Sequence, residues 1–164
     1  MAKYVVRIGD QWMPRLQPME CVIDLAHSQE KSEFLDMYTL AAAKFVIGTC
    51  SGPHVIPHCF GIPVLHTNSV IFRTLWCTEN IRIPILYKDN SGELIPFDSL
   101  IKRKNYTSAN RNVLMQNGMI PVNNSEDDIC NGVEEMFNRQ SNSILKNEEY
   151  NILQQKWAKV SNGQ

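Results

Sequence analysis

The chain has 164 residues, a hydrophobic fraction of 43% and a formal net charge of -1 at pH 7. That length suits one domain with a full hydrophobic core, and the charge excludes a strongly basic nucleic-acid binder or an acidic tail. No apolar run approaches the roughly 20 residues needed to cross a bilayer, and the N-terminus has no long apolar segment of the signal-peptide kind. The cysteines, Cys21, Cys50, Cys59, Cys77 and Cys130, are odd in number and lack CxxC spacing. Reduced thiols in a cytoplasmic protein are the simplest reading.

Tyr4 to Ile8 (YVVRI) is a β-branched run closed by Gly9-Asp10, which predicts a first strand almost at Met1. Gln11 to Glu20 holds Pro14 and Pro18 and reads as an irregular loop. Cys21 to Leu25 (CVIDL) is a second strand, and Ser32 is the expected N-cap of a helix over Glu33 to Lys44. Phe34, Leu35, Tyr38, Leu40, Ala41 and Ala42 would form its apolar face. Such a strand-helix-strand unit implies parallel strands.

The stretch Phe45 to Asn68 (FVIGTCSGPHVIPHCFGIPVLHTN) reads as strand, turn, short helix, turn, strand. Phe45 to Gly48 is apolar without alternation, the pattern of a strand buried on both faces, and Ile62 to His66 is the next strand. Ser51 and Gly52 let backbone approach a ligand, and Pro53 suits the first position of a helix, so this turn is a candidate anion site. Val70 to Cys77 is expected as a short helix or a loop packing Phe72 and Trp76. Ile81 to Tyr87 is an extended edge segment containing Pro84, with Asn90-Ser91-Gly92 as a turn. A short helix follows Asp98, another ends at Gly118, and Met119 to Val122 is a strand candidate. Ser125 with Asp128 resembles a capping box opening a helix to Arg139. A closing helix is expected over about 147-160. The whole, residues 1-164, reads as a single α/β domain with a mostly parallel sheet.

Several groups compete for a function. The first is Thr49, Ser51, Gly52 and Pro53, whose bland alternative is an ordinary strand-to-helix connection. Cys50, His54 and His58 recur every four residues, with His66 as a possible fourth ligand of a metal, but a structural zinc site closes four ligands and Pro57 should distort the helix that must align them. No metal is therefore expected. Hydrogen bonding of His54 or His58 to phosphate or ribose oxygens competes with a purely internal role. Arg7, Gly9 and Asp10 end the first strand, so Arg7 and Asp10 either meet a ligand or form a salt bridge or solvated loop. Asp24 and His27, at the end of the second strand, either pair in the cleft or cap the next helix. No GxSxG, HExxH, P-loop or GxGxxG sequence occurs.

Ile47 to Pro53 (IGTCSGP) followed by Phe60 to Pro63 (FGIP) resembles the nucleotide-sugar-binding segment of GT-B glycosyltransferases, in particular the heptosyltransferase-like group. A closer likeness is to putative bacterial glycosyltransferases of surface-carbohydrate biosynthesis. It runs through Val5 to Asp10 (VVRIGD), Val22 to Ser28 (VIDLAHS), Ser32 to Lys44 (SEFLDMYTLAAAK), Phe45 to Gly52 (FVIGTCSG), Pro57 to Pro63 (PHCFGIP) and Asn124 to Met136 (NSEDDICNGVEEM). The heptosyltransferase pattern has an acidic residue where Cys50 stands and a histidine where Val55 stands, so only Ser51, Gly52 and His54 carry over as contacts.

The resemblance implies a Rossmann-like three-layer domain, one half of a GT-B fold, that binds a nucleotide diphosphate sugar as donor substrate without a cofactor. It implies transfer of the sugar to a glycan acceptor held by an N-terminal domain that these residues do not resemble, and no activity is expected without that domain. The implied setting is bacterial polysaccharide biosynthesis, cytoplasmic, with peripheral membrane association allowed and no nucleic-acid partner. The alternatives are a non-catalytic nucleotide- or protein-binding module of the same architecture, or half of a sugar-nucleotide epimerase.

Overall fold

The computed structural model describes residues 4-49, 51-70, 80-108 and 110-141. The segment expected over Val70-Cys77, beyond its first residue, and the closing helix at 147-160 lie outside the described residues. The architecture is mixed α/β with small, mostly parallel sheets. The described residues fall into two compact units, 4-66 with 80-81 and 67-70 with 82-141.

In the first unit, β1 (Val5-Arg7) and β2 (Val22-Asp24) pair in parallel, with Val5 opposite Val22 and Arg7 opposite Asp24. A 3-10 turn, Leu25-His27, then buries Leu25 and Ala26. Ser32 caps α1 (Glu33-Ala42) by accepting the Leu35 backbone N-H at 3.2 Å, as its sequence position predicts. The next parallel pair is β3 (Val46-Gly48) with β4 (Val64-Ser69), in the register Val46 to Val64 and Gly48 to His66. Between them lie a 3-10 turn, Gly52-His54, and the short helix α2 (Val55-Cys59), which packs against α1.

Two burial expectations fail here. β3 is not enclosed on both faces: Ile47 is 46% exposed, whereas Val64 and Leu65 of β4 are fully buried. In the strand order β3-β4-β5, with β5 spanning Ile81-Pro84, β4 is central and β3 lies at an edge. The apolar face of α1 is likewise only partly used. Leu40 is buried, but Phe34 and Tyr38 are 69% and 59% exposed and stack on each other with ring centres 6.4 Å apart. Asn80 serves the core instead, its side-chain carbonyl accepting the buried Val64 N-H at 2.8 Å.

The second unit is built on an antiparallel pair, β6 (Leu86-Lys88) with β7 (Ile120-Val122). The single extended segment expected from Ile81 to Tyr87 divides at Pro84, which has no N-H to continue a ladder. Its core is Tyr87, Leu100, Leu114 and Met119, flanked by Ile85, Ile95, Phe97 and Tyr106. The helices α3 (Phe97-Leu100) and α4 (Arg111-Gln116) supply Leu100 and Leu114. Gly118, at φ +67, turns the chain out of α4, and Met119 N-H closes back on the Leu114 carbonyl at 3.0 Å. The capping box at Ser125 forms in full and starts α5 (Glu126-Gln140). Asn68, itself at φ 48, exchanges hydrogen bonds with Asn124, which also donates to the Pro84 carbonyl at 2.9 Å.

Tyr87 is 2% exposed and its hydroxyl has no hydrogen-bond partner among the described residues, so burial pushes its pKa up. Replacing it by phenylalanine removes an unsatisfied polar group. Urea unfolding of Tyr87→Phe should therefore show stability equal to or above wild type by up to about 1 kcal/mol. Met119→Ala, which opens a cavity in the same core, should cost about 2-5 kcal/mol. A Tyr87→Phe loss approaching that of Met119→Ala would mean the hydroxyl is satisfied in solution.

Candidate functional site

After Gly48, β3 gives way to an exposed turn in which Thr49 accepts the Ser51 N-H at 2.7 Å. Ser51 is extended, at φ -113 and ψ 173, and its side chain makes no capping hydrogen bond. Pro53 opens the 3-10 turn, where its fixed φ suits a helical start and its missing N-H removes no intrahelical bond. Above Gly52 the surface is open, with no heavy atom within 4 Å of the place a Cβ would take. Thr49, Ser51, Gly52 and Pro53 are all exposed, so the predicted ligand-facing segment lies on the surface.

His54 and His58 follow one helical turn apart and therefore share a face. His66 reaches the same place from β4, opposite Gly48 at the carboxyl end of the parallel pair. The ring centres lie 5.9 Å apart for His54 and His58, 5.4 Å for His54 and His66, and 5.7 Å for His58 and His66. His54 meets both others edge to face. His66 is 4% exposed, and His54 and His58 are half-buried.

The distortion expected from Pro57 does not arise. Pro57 is the third residue of α2 and buried, within a first turn whose N-H groups lack intrahelical acceptors in any case. Among the described residues, no group of three or more histidine, cysteine, aspartate or glutamate side chains is arranged to hold a metal ion. Cys50 lies outside the described residues.

The His54 ring is oriented by its own turn, since Nδ1 meets the Ser51 carbonyl. A carbonyl only accepts, so in this contact Nδ1 is the donor. His58 titrates below the ordinary histidine value because burial disfavours its charged form and the neighbouring His54 adds a like charge.

Arg7 and Asp10 are placed differently from the histidines. Arg7 grips Asp24 through Nε and Nη2, each at 2.9 Å, and its Nη1 donates to the Pro14 carbonyl at 2.8 Å. Burial pushes the Asp24 pKa up, but the Leu16 N-H and the hydrogen bonds and charge of Arg7 outweigh it and hold the carboxyl below its usual range. Of the two expectations for Arg7, the salt bridge is the one formed. The Asp10 carboxylate is exposed and accepts the Trp12 N-H at 2.9 Å, which closes a local turn. His27 likewise serves the loop, with Nε2 donating to the Met13 carbonyl at 2.7 Å.

A cavity of about 470 Å³ nearby in the unit is lined by Gln11, Arg15, His27, Lys31 and Glu33 among others. Sequence reasoning passes over Arg15 and Lys31. Lys31 bridges the Gly9 carbonyl at 2.6 Å and Asp36 at 2.8 Å, a contact for which the only sequence signal is its place just before the Ser32 cap.

The lowered pKa of His58 gives the free protein a pH dependence. The unfolded chain's histidines titrate near 6.5 and folded His58 titrates lower, so below about pH 6.5 the unfolded state binds more protons and stability falls. Asp24, Asp89 and Asp128, all held below the carboxylate range, lose their contribution only below about pH 4. Urea midpoints should therefore decline between pH 7.5 and 5.5 in wild type and decline less in His58→Gln. Equal declines in the two proteins would remove His58 as the cause.

No protein-family model matches the chain, and neither the curated proteins nor the solved structures contain a significant match to it.

Proposed function

We propose that this chain is the nucleotide-sugar-binding half of a glycosyltransferase, a Rossmann-like half of a GT-B fold, whose donor diphosphate sits over the turn from Thr49 to His54. The observation that carries this reading is the convergence of His54, His58 and His66 at the carboxyl end of a parallel strand pair, beside the open surface of Gly52. In open α/β sheets ligands bind beyond the carboxyl ends of the strands, and the turn combines a hydroxyl, small residues and imidazoles that suit phosphate oxygens.

In this reading the donor is a nucleotide diphosphate sugar and no cofactor is required. The sugar's anomeric carbon passes to an acceptor hydroxyl, and the bond to the diphosphate breaks. Imidazole N-H groups and the Ser51 hydroxyl stabilise the charge that develops on the leaving diphosphate. The glycan acceptor and the base that activates its hydroxyl come from a second domain. No helix among the described residues is long and apolar enough to cross a membrane; a cytoplasmic place, where nucleotide sugars are the donors, is part of the proposal.

Thermal unfolding with a panel of nucleoside diphosphates tests the assignment. A specific binder at about a hundredfold its Kd gains about 2.7 kcal/mol, which appears as a rise in Tm that grows with ligand concentration. Gly52→Asp should abolish that rise while leaving the unliganded Tm unchanged, since a side chain there meets no neighbour and Gly52 does not need a positive φ. Nucleotide affinity preserved in Gly52→Asp would place the site elsewhere.

A further inference from the structure

The cavity of about 470 Å³ has the size of a small-molecule site, for which roughly 300-1,000 Å³ is usual. Four of its lining residues are charged at pH 7: Arg15, Lys31, Glu33 and Asp36. Two of these are committed to each other, since Lys31 Nζ meets Asp36 at 2.8 Å and the Gly9 carbonyl at 2.6 Å. Arg15 and Glu33 are not. Among the described residues neither side chain joins a hydrogen bond or an ion pair, with the other or with any third group, and both are exposed. The exposed Gln11 amide on the same lining is also without an internal partner.

The backbone beneath each free charge is fixed. Pro14 and Leu16 flank Arg15, and the Arg7-Asp24 pair holds both of them: Arg7 Nη1 donates to the Pro14 carbonyl at 2.8 Å, and Asp24 accepts the Leu16 N-H at 3.2 Å. His27 ties the Met13 carbonyl of the same loop at 2.7 Å. Glu33 opens α1 directly after Ser32, whose hydroxyl oxygen accepts the Leu35 N-H. Lys31 then joins the end of β1 to α1 through Gly9 and Asp36. An acid in a first helical turn ordinarily serves the helix dipole, and a single exposed arginine is ordinarily solvated. Here one free charge of each sign lines one cavity from a backbone that is already ordered, so a ligand can meet both without first ordering the chain.

From this we infer that the cavity binds a small zwitterion of the amino-acid class, its carboxylate on the Arg15 guanidinium and its ammonium on the Glu33 carboxylate. A guanidinium matches a carboxylate with two parallel N-H donors, and an ammonium, which only donates, requires an acceptor such as Glu33. The Gln11 amide can donate to one end of the ligand or accept from the other. Selectivity follows from the opposed signs. A simple anion meets Glu33 as a like charge and a simple amine meets Arg15 as one, whereas a molecule carrying both charges satisfies both residues. The site uses none of the residues from Thr49 to His54 and does not depend on the nucleotide reading of that turn.

NMR titration of the full chain at pH 7 with glycine, 4-aminobutyrate and 6-aminohexanoate, which step up the distance between the two charges, tests the assignment. Butyrate and butylamine, which keep one charge each, are the controls. At least one zwitterion should shift the amide signals of Gln11 to Leu16 and Ser28 to Asp36 in a saturable way, and should bind about tenfold or more tightly than either control, as the loss of a charged hydrogen bond predicts. In Arg15→Gln that zwitterion should bind no better than butylamine, and in Glu33→Gln no better than butyrate. Both side chains are exposed and without internal partners, so the Tm of each unliganded variant should match wild type. The single-charge controls on the wild-type chain read the pairing even where a substituted protein folds poorly.

No saturable shift with any of the three zwitterions would overturn the site. Butyrate or butylamine binding as tightly as the best zwitterion would overturn the charge pairing, and so would zwitterion affinity that is unchanged in Arg15→Gln or in Glu33→Gln.

Discussion

The register that sets Gly48 opposite His66 decides where the candidate site falls. A parallel pair brings both carboxyl ends to one rim, so the residue leaving β3 and the last buried imidazole of β4 meet there. The short connection after β3 must turn sharply to enter α2, and Ser51, Gly52 and Pro53 meet that demand with an extended residue, an uncrowded one and a residue preset for a helix. His54 and His58 then fall over His66 because four residues make about one helical turn. The cluster follows from a strand register and a helix period.

The parallel pair β1-β2 uses its charges in another way. Its register puts Arg7 opposite Asp24, and a guanidinium opposite a carboxylate at this distance forms a two-pronged contact. Both side chains are about one-fifth exposed. The pair also recruits the Pro14 carbonyl and the Leu16 N-H, and so fixes the proline-containing loop that follows β1. A cation at a strand's carboxyl end reads, in isolation, as a ligand group; here its partner is already present in the neighbouring strand.

The fold is legible in the sequence where a local rule acts within a few residues. Ser32, Gly118 and Ser125 mark helix ends because a side-chain oxygen or a left-handed turn satisfies backbone groups close by in the chain. It is less legible where sequence-distant neighbours decide. Phe45 to Gly48 looks like a doubly buried strand, yet strand order makes β4 the central one. Phe34 and Tyr38 sit at helical spacing, but only Leu40 of that predicted face is fully buried. Pro57 reads as a breaker because its position in the first turn of α2 depends on where that helix begins. The spacing of His54 and His58 is visible in the chain, as is His66; that the three pack ring against ring depends on the β3-β4 register.

Packing three imidazoles together has a physical cost that apolar side chains would avoid. His66 is as buried as many core residues, and its neighbours on β4 are Leu65 and Thr67, also buried. Aliphatic groups at these positions would bury area without the penalty that charging the partly buried His58 incurs as pH falls. The penalty is visible at His58, which burial and the neighbouring His54 hold below the ordinary histidine value.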